Sequence, residues 1–197
     1  MATSPRRVKM MLEWIKMEGI QRDSIRSSRL HNERANACVQ SLSGLCLTDL
    51  GSGDGEVVVQ AASEGMVASG FELNPSLVAI SKLRWALARV SAAPGGSARF
   101  VIGNLLEAPI GGEDVIMVFG VPPLMPLVAD KLAKEAKDGS LVFCHRFPLP
   151  GWTHIREGDG CLLYRVDKGT PLIEPGMVGT GAAGIKKESP AVPPEKL

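Results

Sequence analysis

Short apolar runs alternate with stretches of helical period through the middle of this chain. The runs at 45–50, 67–72, 99–102, 115–119, 141–146 and 161–166 are bounded by glycine, asparagine or charged turns, so each reads as a buried strand. Helix signals lie between them. The stretch 56–64 is stopped by Gly65. Asn74 caps a helix with Pro75 at its first position, and Leu77, Ile80, Leu83, Leu87 and Val90 give that helix one apolar face. The stretch 127–137 carries Asp130/Lys134 and Lys131/Glu135 pairs at helical spacing and ends at Gly139. Repeated strand–helix alternation implies an α/β domain at 45–166 with a mostly parallel, doubly wound sheet.

The flanks differ. Residues 1–44 read as a helical extension: Ser4 caps a helix, Pro5 opens it, and Val8, Met11, Leu12 and Ile15 form an apolar stripe. Up to Arg34 the segment holds eight basic and four acidic residues. A mitochondrial presequence is also basic and amphipathic but poor in acids, so a helix packed on the main domain is the preferred reading. Residues 167–197 contain five prolines and five glycines without periodicity, which reads as a flexible tail.

Composition narrows the class. The 197 residues are 45% hydrophobic and 22% charged, the profile of a globular chain with room for a core. Basic and acidic residues number 22 and 21, which argues against a nucleic-acid partner. No apolar run reaches the length of a membrane span. Cys38, Cys46, Cys144 and Cys161 form no C-x-x-C pair, and His31 and His154 lack partner ligands, so no metal is assigned. Reduced thiols in a reducing compartment are expected.

The chemistry concentrates in Asp49-Leu50-Gly51-Ser52-Gly53-Asp54-Gly55, between the first strand and the next helix. Ligands of open parallel sheets sit beyond the carboxyl ends of the strands, where glycines let the backbone approach closely. The spacing is G-x-G-x-G with an acid before it, rather than the G-x-G-x-x-G of a dinucleotide fingerprint. Carboxylates here suit the amino group and sulfonium of S-adenosylmethionine better than a pyrophosphate. Glu72, at the end of the second strand, can accept hydrogen bonds from two ribose hydroxyls. Asn104, beyond the third strand, can meet an adenine edge through its amide. Ser52, Gly55, Leu73, Asn74 and Leu105 lie in the same three turns and complete the cofactor set. Phe119, Gly120, Val121 and Pro122 follow the fourth strand and are the candidate acceptor wall, with carbonyls to orient an amine. A purely structural strand-to-helix turn is the competing reading there. His145 and Arg146 end the fifth strand; His145 is a weaker candidate for proton acceptance and Trp152 for a channel wall.

With those residues in hand, the chain resembles the class I S-adenosylmethionine-dependent methyltransferases. Its nearest likeness is to the mitochondrial protein-lysine methyltransferases of the ATP synthase c subunit and the adenine nucleotide translocase. DLGSGDG (49–55), FELNPSLV (71–78), FGVPPLMPLVADKL (119–132) and RFPLPGW (146–152) carry the resemblance, in family order. It implies a Rossmann-like fold and cofactor contacts at Asp49, Gly51, Gly53, Glu72 and Asn74, with Asp49 near the methionine amino group. It also implies methyl transfer to a lysine ε-amine of a protein partner and a mitochondrial location, with the cytoplasm as the alternative. The chain departs from the family pattern in having Glu56 where a basic residue is usual, and Asn104-Leu105-Leu106 where Asp-Leu-Trp is usual. Two other functions stay open: a methyltransferase acting on a small molecule or RNA, and a non-catalytic binding module. Oligomeric state is not read from the sequence.

Overall fold

The computed structural model describes residues 4–19 and 41–169. Cys38, His31, most of the expected tail and the link between the first helix and the first strand lie outside the described residues.

The order is α1 (Pro5–Glu18), β1 (Cys46–Leu50), α2 (Glu56–Ser63), β2 (Val67–Glu72), α3 (Pro75–Ala88), β3 (Ser97–Ile102), β4 (Val115–Val118), α4 (Met125–Glu135), β5 (Leu141–His145), β6 (Arg156–Gly158) and β7 (Cys161–Arg165). The strands form one seven-stranded sheet in the order β3-β2-β1-β4-β5-β7-β6. β1 to β5 run parallel, and β7 is antiparallel to both β5 and β6. Strand order therefore reverses between β1 and β4, which opens a crevice at their carboxyl ends.

The four-residue β4 and the five-residue β1 and β5 are buried almost throughout, as strands covered on both faces must be. Side-chain alternation splits the core into two layers. One joins Leu47, Val115, Phe143 and Leu163 to α1 and α2 through Val8, Met11, Ile15, Val58 and Ala62. The other joins Leu50, Ile116, Val142 and Tyr164 to α4 through Val128 and Leu132. α1 buries its predicted stripe of Val8, Met11, Leu12 and Ile15. Its end is clamped where Glu18 meets Arg156 at 2.6 Å and Arg165 at 2.9 Å. The Arg156 guanidinium, more than any other neighbour, lowers the Glu18 pKa, against the opposing effect of burial.

Two elements differ from expectation. β6 is three residues of Arg-Glu-Gly, too short and polar to register as an apolar run. α3 turns the other way: it buries Val78 and Ser81 and half-buries Trp85 and Ala88, while Ile80, Leu83, Leu87 and Val90 face outward. Both sides of this helix are apolar, so periodicity alone could not choose which side meets the sheet.

Candidate functional site

The crevice at the strand reversal holds a cavity of about 330 Å³. Its floor follows from register. Asp49 pairs with Met117, and Met117 with Phe143, so all three project from the same face, toward α1. Gly51, Ser52, Gly53, Asp54 and Glu72 form the β1/β2 side; Phe119, Cys144, His145 and Cys161 form the β4/β5/β7 side; Arg7 and Met11 of α1 close the top.

The β1 turn is fixed by the backbone of its neighbour. Gly51 and Ser52 donate their N–H groups to the Phe71 carbonyl at 2.9 and 3.0 Å. Gly51 has φ +89°, and a Cβ there would stand 2.8 Å from the Phe119 carbonyl oxygen. The glycine is thus required twice, by its backbone angle and by the closeness of the β4 end. Glu72 then locks the turn to the next one. One of its carboxylate oxygens accepts from Gly53 N–H at 3.0 Å and the other from Asn74 N–H at 2.9 Å. A carboxylate has about four lone-pair sites, so capacity remains for hydroxyl donors.

Asp49 is the electrostatic centre. It is 4% exposed, and its pKa is raised to about 7, first by burial, then by the nearby charges of Glu72 and Asp54. Asp54 and Glu56 are in turn neutralised by Arg84 of α3, which meets Asp54 at 2.8 Å and also pairs with Glu56. Glu56 therefore serves the turn as an Arg84 partner at the position where the family pattern is basic. Ser52 Oγ is a buried polar atom with no partner among the described residues.

Across the cavity, Phe119 stacks on His145 with ring centroids 4.9 Å apart and planes 12° from parallel. The His145 pKa is lowered, first by burial and then by the positive charges of Arg7 and Arg146, so the ring is held neutral. Its Nδ1 is buried without a hydrogen-bond partner among the described residues. Arg7 is held by the Asp159 carbonyl at 2.9 Å.

Of the residues expected from sequence, Asp49, Gly51, Ser52, Gly53, Glu72 and Phe119 come together on the cavity, and Gly55, Leu73, Asn74, Asn104, Leu105, Gly120, Val121 and Pro122 do not line it. Asn74 caps α3 by accepting from Ser76 N–H at 2.9 Å. Asn104 spends its side-chain oxygen on Leu106 N–H at 3.0 Å, opening a single 3₁₀ turn. Pro122 opens another 3₁₀ turn, and Val121 is exposed. Trp152 packs edge-on against Tyr164 at 6.3 Å, away from the cavity. Arg7 and Met11 were missed as lining residues. Their stripe foretold a packed helix, but not that it would cover the strand ends.

The model of the ANTKMT methyltransferase domain matches residues 49–156, more than half of the chain. The chain belongs to this family. Within it, the chain is 45% identical over 107 residues to the Mus musculus lysine N-methyltransferase of the ATP synthase c subunit, covering 54% of this chain and 42% of that protein. It is 37% identical over 110 residues to the adenine nucleotide translocase lysine N-methyltransferase of the same species, covering 55% and 46%. A protein-lysine N-methyltransferase of Saccharolobus islandicus is 35% identical over 124 residues, covering 60% and 74%. The matched region spans somewhat less than half of the two mouse relatives. Among solved structures, an RNA methyltransferase from Salinibacter ruber bound to S-adenosyl-L-homocysteine superposes with TM-score 0.65 at 23% identity, over 88% of this chain and all of that one. The magnesium protoporphyrin IX methyltransferase of Synechocystis with bound SAM gives 0.55 at 14% identity, over 81% and 76%. These two show the shared fold: the doubly wound, mostly parallel sheet expected from the sequence.

Proposed function

We propose that this chain is an S-adenosylmethionine-dependent methyltransferase acting on a lysine ε-amine of a protein. The observation that carries the reading is the pair of carboxylates, buried Asp49 and loop-locking Glu72, on either side of a glycine turn that has no room for a side chain at Gly51. The residues fit the methyl donor. Gly53 leaves an open cradle where a Cβ would meet nothing within 4 Å, Glu72 keeps acceptor capacity for ribose hydroxyls, and Asp49 offers a counter-charge to an α-amino group. The cavity lies within the roughly 300–1,000 Å³ of small-molecule sites. When bound, S-adenosylmethionine supplies an electrophilic methyl on its sulfonium.

The acceptor half is a matter of geometry and proton state. A lysine ammonium has no lone pair and must lose a proton before it can attack. Met117, Phe143 and Phe119 make an apolar wall that disfavours the charged amine. Neutral His145 lines the cavity beside that wall and is the group we assign to take up the proton. The remaining contribution is alignment of donor and acceptor, which the stacked Phe119–His145 pair and the α1 roof constrain.

The names of the relatives support a protein substrate and a mitochondrial setting, which we adopt as part of the proposal. The test is transfer of labelled methyl from S-adenosylmethionine to fractionated cell extract, with Glu72→Ala as control. Protease-sensitive label in the mitochondrial fraction, lost with the control, is the expected result. Label confined to RNA or small molecules would overturn the lysine reading.

A further inference from the structure

The outward face of α3 has no role in the site or the core. Ile80 is 46% exposed, Leu83 63%, Leu87 73% and Val90 88%. At about 100° per residue Ile80, Leu83 and Leu87 fall within one arc of α3, the exposed Ala79 and Ala86 lie beside it, and Val90 follows in the 3₁₀ turn Arg89–Ser91 that continues the helix. Exposed Lys82 and Arg89 flank one side of this arc, and Arg84 borders the other while paired with Asp54 and Glu56. The charge is one-sided over a long stretch. Residues 73–98 hold the cations Lys82, Arg84 and Arg89 and no Asp or Glu, and with Arg84 balanced by Asp54 and Glu56 the border of the stripe owes its positive charge to Lys82 and Arg89.

We propose that the outer face of α3 is a docking surface for an anionic lipid bilayer. A continuous aliphatic stripe bordered by cations is the pattern of a helix that lies in the interfacial plane of a membrane. Among the described residues no helix is long and apolar enough to cross one. Charge decides between a bilayer and a second copy of this chain. A two-fold interface would bring the same Lys82 and Arg89 flank against itself, whereas negative headgroups complement it. α3 begins at Asn74, whose N–H is held by Glu72, so docking would set the mouth of the site close to the bilayer. The proposal does not depend on methyl transfer.

The experiment is flotation of the full 197-residue chain with vesicles of phosphatidylcholine, alone or with a minor fraction of phosphatidylserine. Binding is expected to grow with the anionic fraction and to fall with added salt. Leu83→Glu with Leu87→Glu should lower the bound fraction about tenfold, and Lys82→Glu with Arg89→Glu should remove the preference for anionic vesicles. Melting temperature and S-adenosylmethionine affinity should stay at the wild-type values, because all four side chains are exposed. Should the glutamate pair disturb folding, Leu83→Ser with Leu87→Ser serves in its place. A chain that floats with neither vesicle overturns the proposal, as do variants that float like wild type. A vesicle-indifferent dimer that the Leu83/Leu87 variants convert to monomer would assign the face to a second copy instead.

Discussion

Asp49→Asn isolates the electrostatic cost of burying a carboxylate at the strand reversal. An unperturbed aspartate loses its proton near pH 4, and in the folded protein burial and the charges of Glu72 and Asp54 raise that point to about 7. Between those values the native state holds a proton that the unfolded chain has released. Stability must therefore fall as pH rises through this window, and the fall is complete only above about pH 7. Integrated from pH 5 to pH 8, the loss attributable to Asp49 is about 2–3 kcal/mol. Asparagine cannot titrate, so Asp49→Asn lacks this component. His145 works in the opposite sense: its lowered pKa makes the native state poorer in protons below its ordinary value, so its contribution improves as pH rises. It is present in both proteins and largely drops out of their difference. The assay is thermal or urea unfolding of ligand-free wild type and Asp49→Asn at several pH values from 5 to 8. The variant should gain on wild type by about 5–10 °C across that range. A constant offset between the two, at every pH, would refute the buried, proton-holding Asp49. With S-adenosylmethionine added, its α-amino cation should favour the ionised carboxylate, so binding near pH 6 should release a proton, measurable by calorimetry in buffers of different ionisation enthalpy.

Three further outcomes follow from the same geometry. Glu72→Ala should weaken S-adenosylmethionine binding by about 1–3 kcal/mol in a titration, through lost hydroxyl acceptors and the freed Gly53 and Asn74 N–H groups; an unchanged affinity in a folded variant would remove Glu72 from the site. Gly51→Ala should lower stability by about 1–3 kcal/mol and abolish cofactor binding, because the added Cβ meets the Phe119 carbonyl at 2.8 Å on a backbone of φ +89°; wild-type melting and affinity would contradict the close approach. His145→Asn should slow methyl transfer by about 10²–10⁴ and remove the acidic limb of the pH–rate profile while leaving cofactor affinity unchanged; a parallel profile at lower rate would make His145 a wall rather than a proton acceptor.

The layer order and the turns at the strand reversal were legible because single residues fixed them. Asn74 and Pro75 marked the start of α3, Gly65 stopped α2, and the glycines at 51 and 53 marked the turn at the strand reversal. Glu72 was placed by its position at a strand end, and the register that sets it beside Gly53 follows from parallel pairing of β1 and β2. Asn104 shows the limit of such reading. An amide after a strand can face a ligand, cap the next turn or do both, and here its oxygen accepts from Leu106 N–H. The roof was hidden for a different reason. Arg7 and Met11 reach the cavity because the α1 stripe packs on the sheet and because Asp159, Arg156 and Arg165, residues more than a hundred positions away that carry no local sign of the contact, hold Arg7 and Glu18.

α3 carries the same lesson into function. Its apolar residues obey helical spacing on two sides, and spacing is all that a periodicity argument uses. The sheet took Val78 with Trp85 and Ala88, which pack beside Ala98 and Phe100 of the edge strand β3. Small Ser81 is buried on that side as well, close enough to Gly55 that a Cβ on that glycine would stand 2.6 Å from it. Leu83, Leu87 and Val90 were left outside, where each costs solubility and adds nothing to the core. Exposed aliphatic residues scattered singly need no explanation, but a bordered stripe over the length of a helix does. Exposed Lys82 and Arg89 on one side of the stripe make that border electrostatic as well as geometric. A surface that is both apolar and positive selects against protein partners of like charge and for a negative bilayer, so the vesicle assay tests the physical cause of the exposure as well as its consequence.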